Sequence, residues 1–467
     1  MKIIHIFTEL SPLTKKTRQA ELNKHFILNQ NNASNFIIMP WYNNYDSNSN
    51  CNLVYTDKDN NFEVFSSVLS ISENPSYLIK PLNQFYPFFN HELNIQTCLI
   101  HFYNSLLQFI EKHFDKAIIH LSDFLCAPVS YLIKSKNLQE KFPTLLSLEN
   151  LYNDINFFQE HYAQMPGTNS ILMNEVTRNG AFTAIKSGLL FADIIVLKSK
   201  YYAKEIQSPE NNSDYQQFFI NRSDDIYGIM NGVQYGTWNP QIDNEIQYKY
   251  STSDLSQKIQ NKLYLQNKFQ LTKSEKIPLL FYGTRLDKLH GIEIIIESLP
   301  ELAKLPIHLI ISGTGDEELI IQLENEIAKY NNIRLIKGFN ISLIHEILAA
   351  SEFIILPSTD EPDGVSFLYA LKYGIIPIAH KVGGHRDVII DIAECIENPN
   401  LIERVNGFFF SSYYSNSLIQ IIEEATSVYQ DRDLISKYQI NCMNEDWSWK
   451  KAIQQYQVLY HKLWTKI

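Results

Sequence analysis

The sequence predicts an α/β protein built as two doubly wound domains, each a parallel sheet covered by helices. Three observations predict it. Short apolar runs alternate with longer amphipathic stretches along the chain, the pattern of parallel strands buried on both faces and joined by crossover helices. The length, 467 residues, exceeds what one hydrophobic core usually supports, so two domains of roughly 200 residues each are expected. Turn formers and a lone proline crowd together midway, in Met230-Asn231-Gly232-Val233-Gln234-Tyr235-Gly236-Thr237-Trp238-Asn239-Pro240, as they do at a domain boundary.

In the first half, strands are expected at Ile3 to Phe7, Phe36 to Pro40, Ile118 to Leu121, Thr144 to Leu148 and Ile194 to Leu197. In the second half they fall at Leu279 to Tyr282, His308 to Ser312, Ile333 to Ile336, Phe353 to Leu356 and Ile375 to Ala379. Ile292, Ile295, Ile296, Leu299 and Leu302 keep helical spacing and predict one buried helix face. The Asn-rich run from Trp41 to Asn52 predicts a surface loop. The boundaries drawn are a first domain over 1–230, a linker over 231–240, a second domain over 241–445 and a closing segment over 446–467. Two such sheets joined by a hinge leave a cleft at the carboxyl ends of their strands, where ligands of these folds bind.

Composition excludes several classes of function. Apolar residues make up 45% and the net charge is -11, so no basic field exists to hold a nucleic-acid backbone; a small or neutral partner fits better. The five cysteines are scattered, with no Cys-x-x-Cys pair to bind zinc or run redox chemistry. No run approaches the ~18 apolar residues of a membrane span, and the opening Met1 to Phe7 is too short for a signal sequence. A cytoplasmic protein is expected. Asp57-Lys58-Asp59 and Asp431-Arg432-Asp433 are expected to be solvated, and no metal is implied.

The chemistry-bearing stretch is Gly338 to Gly374. A strand ends in Pro357-Ser358, and Glu361-Pro362-Asp363-Gly364-Val365-Ser366 turns into a helix ending Leu371-Lys372-Tyr373-Gly374. Gly364 permits close backbone approach, and the helix start near Val365 and Ser366 aims free N–H groups and a positive dipole end at an anion. Glu361 is placed to accept sugar hydroxyls; alternatively it only balances the helix dipole. This block resembles that of the bacterial glycogen/starch synthases, retaining GT-B glycosyltransferases with two Rossmann-like domains.

Other blocks agree with the resemblance. Tyr282-Gly283-Thr284-Arg285-Leu286-Asp287-Lys288-Leu289-His290-Gly291 resembles the family's strand-Arg-Leu-x-x-x-Lys-Gly segment, and Arg285 falls on the arginine that pairs with the donor diphosphate. Gly313-Thr314-Gly315-Asp316 resembles its Gly-x-Gly-Asp loop, and Val382-Gly383-Gly384-His385-Arg386-Asp387 its Thr-Gly-Gly-Leu-x-Asp loop. Phe339 falls on a base-stacking aromatic, or packs under the sheet. Asn231-Gly232-Val233 through Trp238-Asn239-Pro240 matches the interdomain linker. Trp447-Ser448-Trp449 with Ala452, Tyr456, Leu459 and Tyr460 resembles the helix that crosses back to the first domain. In the first domain, Glu9-Leu10-Ser11-Pro12-Leu13-Thr14-Lys15 resembles the opening Glu-Leu-x-Pro-x-x-Lys, and Ile119-His120-Leu121-Ser122-Asp123-Phe124 resembles His-x-His-Asp-Trp.

The resemblance implies transfer of glucose from ADP-glucose, or a related nucleotide sugar, to an α-1,4-glucan with retention. Arg285, Lys15 and His290 would neutralise the diphosphate. Glu361 and the amides near Gly364 would orient the sugar, and Asp123 would line the acceptor side. Gly313, Gly315, Asp316, Phe339, Asp363, Val365, Ser366, Gly383 and Gly384 complete the implied donor site.

Three departures bear on that donor. The family's Gly-Gly after its lysine is replaced by Lys16-Thr17-Arg18, so this loop must take another shape, with Lys16 and Arg18 available as charges. The family histidine of His-Asn-Leu is Glu149, a carboxylate expected to repel a nearby diphosphate. The family lysine of the Arg-x-x-x-x-Lys pair is His290, mostly neutral at pH 7. Losing one donor to leaving-group charge typically costs ~3–4 kcal/mol. Two other readings therefore stand beside the synthase: a GT-B transferase with another donor or a protein acceptor, and an inactive relative that binds glycan or a protein partner.

Overall fold

The computed structural model describes residues 1–11, 17–30, 34–41, 51–57, 62–67, 76–81, 95–151, 154–165, 170–208, 215–338, 340–362 and 364–467. The chain divides into two compact units, Met1–Gly232 with Trp449–Ile467, and Val233–Ser448.

The first unit is built on a nine-stranded sheet, counted among the described residues. Its parallel part runs, in spatial order, Ile226–Gly228, Ile194–Leu197, Thr144–Ser147, Ile118–Ser122, Ile3–Ile6, Asn35–Pro40 and Ser76–Pro81. Ile3, Ile4, Ile118, Ile119, Leu145, Ile194 and Ile195 are all buried, as continuous apolar runs must be when both faces are covered. Two antiparallel strands, Phe62–Ser67 and Cys51–Asp57, extend the edge. The expected loop over Trp41 to Asn52 is thus corrected at its end, because Cys51 and Asn52 open a strand; residues 42–50 lie outside the described residues. Leu53 and Val54 are exposed on the outer of these two strands, Cys51–Asp57, while Phe62 and Val64 are buried on the inner one.

The last helix, Trp449–Trp464, belongs to this unit and buries Trp449, Ala452, Ile453, Tyr456, Leu459, Tyr460 and Leu463. Its tyrosines enter a buried polar chain: Tyr460 Oη lies 2.7 Å from His120 Nδ1, His120 Nε2 lies 3.0 Å from Ser147 Oγ, and Ser147 Oγ lies 3.0 Å from Tyr456 Oη. His5 packs 5.3 Å from the His120 ring and 5.6 Å from that of Phe26. Neither of its ring nitrogens has a hydrogen-bond partner among the described residues, and burial lowers its pKa to about 3.

The second unit carries a six-stranded parallel sheet, in the order Ile333–Lys337, His308–Gly313, Leu279–Gly283, Phe353–Leu356, Ile376–His380, Phe408–Phe410. Helix Ile292–Leu302 buries Ile292, Ile294, Ile295, Ser298, Leu299 and Leu302. Ile296 is only half-buried, so the buried stripe is rotated toward Ile294 relative to the expected face. Beneath the sheet Lys262 and Glu352 form a fully enclosed ion pair at 3.2 Å. Lys262 also donates to the carbonyl of Glu275 at 2.9 Å and to Tyr429 Oη, and Glu352 accepts the Leu279 N–H at 2.7 Å. Every charge there is met inside the protein, the condition for burying it.

Candidate active site

In a parallel sheet the loops that leave the carboxyl ends of adjacent strands are neighbours, so residues far apart in sequence meet there. In the second unit three such loops are stitched together. The loop after Leu279–Gly283 meets the one after Phe353–Leu356 where the Thr359 N–H donates to the Leu289 carbonyl at 3.0 Å. The loop after Ile376–His380 joins where the Gly384 N–H donates to the Glu361 carbonyl at 2.7 Å.

Arg285 stands on the first loop with its side chain 73% exposed, Nε 3.1 Å from Asp287 Oδ2. The other oxygen of Asp287 takes the backbone N–H of His290 at 3.0 Å and its Nδ1 at 2.6 Å. A carboxylate only accepts, so Nδ1 carries a proton here and Nε2 is left for other partners. Asp287 therefore organises both basic residues, a function that the spacing Arg-x-Asp-x-x-His could have signalled.

Glu361 has both carboxylate oxygens engaged: Oε1 accepts the Gly364 N–H at 2.9 Å, and Oε2 accepts from Ser358 Oγ at 3.2 Å. Gly364 precedes helix Val365–Lys372 at φ 59°, so Glu361 does tie down a helix start, and its orientation is set before any ligand arrives. Gly383, at φ 43°, has room for no side chain: a Cβ would stand 2.2 Å from the Glu361 carbonyl oxygen. His385, absent from the expected site, lies fully buried with Nε2 3.8 Å from Glu361 Oε2. Burial lowers its pKa to about 4.

Gly313 and Gly315 lie beside the Arg285 loop, where the Leu286 N–H donates to the Thr314 carbonyl at 2.9 Å and the Asp316 N–H to the Leu286 carbonyl at 2.9 Å. Asp316 caps helix Glu317–Ile327, accepting from Glu318 N at 3.0 Å and Leu319 N at 3.2 Å. Phe339 and Asp363 lie outside the described residues, as do the side chains of Val365 and Ser366.

The first unit holds a second cluster by the same geometry. Asn231, Lys198, Glu149, Asp123 and Glu9 follow the carboxyl ends of five successive neighbours in the sheet. Asp123 adopts φ 73°, rare for a residue with a side chain, and its N–H donates to the Ser147 carbonyl at 2.8 Å. Such strain costs roughly 1–3 kcal/mol and gathers at functional sites. Burial, reinforced by the nearby Glu149 and Glu9 carboxylates, raises the Asp123 carboxyl to about 7. Asp123, Glu149, Lys198, Asn231, Gln19 and Trp449 line one pocket.

Glu149 does not stand there as an uncompensated charge, which changes what its sequence position led us to expect. Its Oε1 lies 3.1 Å from Lys198 Nζ and its Oε2 accepts from Asn231 Nδ2 at 2.9 Å. A lysine at the end of an otherwise apolar strand was the available signal. Lys15 and Lys16 lie outside the described residues. Thr17 caps helix Arg18–Leu28, accepting from Ala20 N at 3.0 Å and donating to Glu9. Arg18 is exposed in the first turn.

Residues 2–221 match the starch synthase catalytic domain family, and residues 265–441 match glycosyl transferases group 1. The chain is 33% identical to a glycogen synthase of Natranaerobius thermophilus over 365 residues, covering 74% of this chain and 71% of that one. It is 28% identical to a glycogen synthase of Thermosipho melanesiensis over 495 residues and the full length of both. Its fold superposes on the catalytic domain of starch synthase IV from Arabidopsis thaliana, a structure bound to ADP and acarbose, with a TM-score of 0.80, 21% identity and 99% coverage of each chain.

Proposed function

Because the chain belongs to the glycogen synthase family, glycosyltransferases of GT-B architecture, we propose that it transfers glucose from a nucleotide sugar, ADP-glucose by likeness to its relatives, to the non-reducing end of an α-1,4-glucan with retention. The observation that carries this reading is the convergence of Arg285, His290, Glu361 and the Gly383-Gly384 loop at the carboxyl ends of the second unit's central strands.

In this reading the bond between the sugar's anomeric carbon and the diphosphate breaks, and an acceptor hydroxyl takes its place. Arg285 and, when protonated, His290 meet the negative charge that grows on the departing diphosphate. By the resemblance, Lys15 supplies a further positive charge against it. Glu361 and the amide groups near Gly364 orient the sugar, and Asp123 lines the acceptor side. Protein cations do this work with no resident metal. The donor being a nucleotide sugar, we place the reaction in the cytoplasm; no helix among the described residues is long and apolar enough to cross a membrane.

Calorimetry with ADP, UDP and GDP, followed by incorporation of radiolabelled glucose from ADP-glucose into glycogen, tests the reading. Tight binding of one nucleotide and incorporation that falls roughly 10²- to 10³-fold in Arg285→Ala are expected. Equal incorporation by wild type and variant removes the synthase assignment. Binding to no nucleotide favours a relative that only holds glycan or a protein partner.

A further inference from the structure

Gly383 and Gly384 carry the chain from strand Ile376–His380 past Glu361 to His385, a residue the transfer step leaves unused. The loop pattern that this segment resembles has leucine where His385 stands. The imidazole is fully buried and held on two sides: Nδ1 lies 2.9 Å from the His380 carbonyl, and the Phe367 ring stands edge-on at 5.3 Å. A carbonyl only accepts, so Nδ1 carries the proton and Nε2 presents a bare lone pair. Among the described residues Nε2 has no hydrogen-bond partner, and Glu361 Oε2 lies 3.8 Å from it. Two acceptors thus face each other across a gap about 1 Å too long for a hydrogen bond.

The loops fix that distance. The Gly384 N–H donates to the Glu361 carbonyl at 2.7 Å, and His380 Nδ1 donates to the Ser358 carbonyl at 3.0 Å. Ser358 Oγ in turn donates to Glu361 Oε2 at 3.2 Å. His385, His380, Ser358 and Glu361 close a ring of contacts. Its freest member is the Glu361 side chain, 19% exposed where that of His385 is wholly enclosed.

Among the described residues the titratable groups facing the imidazole are Glu361, from the loop after Phe353–Leu356, and His380, from the end of strand Ile376–His380; Arg386 and Asp387 adjoin it in the chain. Burial lowers the His385 pKa to about 4, so near neutral pH the ring is uncharged and Glu361 rests on Ser358 and Gly364. A proton on Nε2 would turn the two acceptors into a charge-assisted pair, whose preferred separation is ~2.7–2.9 Å, and the carboxylate would move about 1 Å toward the ring. A misplacement of that size in a catalytic geometry costs roughly 10²-fold in rate.

We infer that His385 is a positioning residue for Glu361: with Nε2 bare it leaves the carboxylate on Ser358 and Gly364 in its sugar-orienting place, and with Nε2 protonated it draws Oε2 onto itself and out of that place. The proton comes from solvent and returns to it, and no covalent bond changes. This inference rests on the glycosyltransferase reading and deepens it.

The full chain, labelled with nitrogen-15 in its histidines, gives the first test. At neutral pH the His385 ring, assigned by its loss in His385→Leu or His385→Gln, should show a protonated Nδ1 and an unprotonated Nε2. Nε2 should gain its proton in acid. In Glu361→Gln that midpoint should fall by about half a pH unit or more, because the carboxylate that favours the imidazolium is gone. Glucose incorporation at saturating ADP-glucose gives the second test, over the pH range in which activity returns on neutralisation. The wild-type rate should fall in acid. The midpoint in His385→Leu, each profile referred to its own alkaline plateau, should lie about half a unit or more lower, through kcat and not KM. A histidine that only fills space would give both proteins one profile.

Any one of three results overturns the inference: Nε2 protonated at neutral pH, a His385 titration indifferent to Glu361→Gln, or coincident activity profiles. If the wild-type protein transfers no glucose, the transferase reading fails on its own, and the spectra still decide whether Glu361 and His385 share a proton.

Discussion

Asp287 holds Arg285 and His290 on its two carboxylate oxygens, at 3.1 Å and 2.6 Å. The acid at the centre of this basic loop sets where the two side chains stand while offsetting the guanidinium charge.

Asp287→Asn should therefore split binding from turnover. Removing one negative charge from the loop is expected to tighten ADP roughly threefold or more, in line with ~1 kcal/mol for a solvated unit charge at close range. Glucose incorporation should fall, because Arg285 and His290 lose their fixed positions. Arg285 is exposed and Asp287 only half-buried, so the melting temperature should move little. Calorimetry beside an incorporation assay checks both; weaker ADP binding would show that Asp287 serves the nucleotide directly.

Lys262→Met should destabilise the second unit by about 3–5 kcal/mol, because Glu352 would remain buried without its counter-charge. Denaturant unfolding followed by a probe in the second unit measures it. Lys262→Met/Glu352→Leu should recover much of the loss, since an apolar pair of similar size leaves no stranded charge.

Two buried groups of the first unit give opposite pH limbs. His5 is held neutral by burial, with its pKa lowered to about 3. Folding therefore excludes a proton that the unfolded chain takes up below about 6.5. Its penalty is absent above that pH and grows as pH falls toward about 3. Asp123 is the reverse: its folded pKa is raised to about 7, so the folded state keeps a proton the unfolded chain loses. Stability falls as pH rises from about 4 to about 7 and is flat beyond, by roughly 2–4 kcal/mol. Thermal melts of His5→Phe should show a gain that is absent above about pH 6.5 and grows as pH falls toward about 3. Those of Asp123→Asn should show a gain largest at pH 8, with transfer activity lost.

Gly383→Ala should lower incorporation by about tenfold or more. The new methyl would strike the Glu361 carbonyl, and the left-handed φ of 43° adds about 1–2 kcal/mol of strain. Serine there should do no better. Incorporation at saturating ADP-glucose is the readout, and wild-type activity in the alanine variant would mean the loop relaxes freely.

The α/β class, the ten expected strands and the family were legible in the chain because they depend on local pattern. A strand buried on both faces must be a short apolar run, and a loop such as Glu361-Pro362-Asp363-Gly364 keeps its spacing wherever it occurs. Cys51–Asp57 and Phe62–Ser67 escaped because antiparallel strands at the margin of a sheet need no long apolar run. Ile226–Gly228 and Phe408–Phe410 escaped because three residues carry no periodicity.

Charge compensation was decided only in three dimensions. By sequence alone, Glu149 is a carboxylate where a histidine belongs, and nothing within several residues offsets it. Its partner, Lys198, is 49 residues away and becomes a neighbour only because Thr144–Ser147 pairs with Ile194–Leu197 in parallel register. Tyr456 reaches the same lysine from the last helix. The identity of a residue sets which charge it can carry, whereas its cost or use depends on what the fold places within about 3 Å, and in a parallel sheet those neighbours come from different crossovers of the chain.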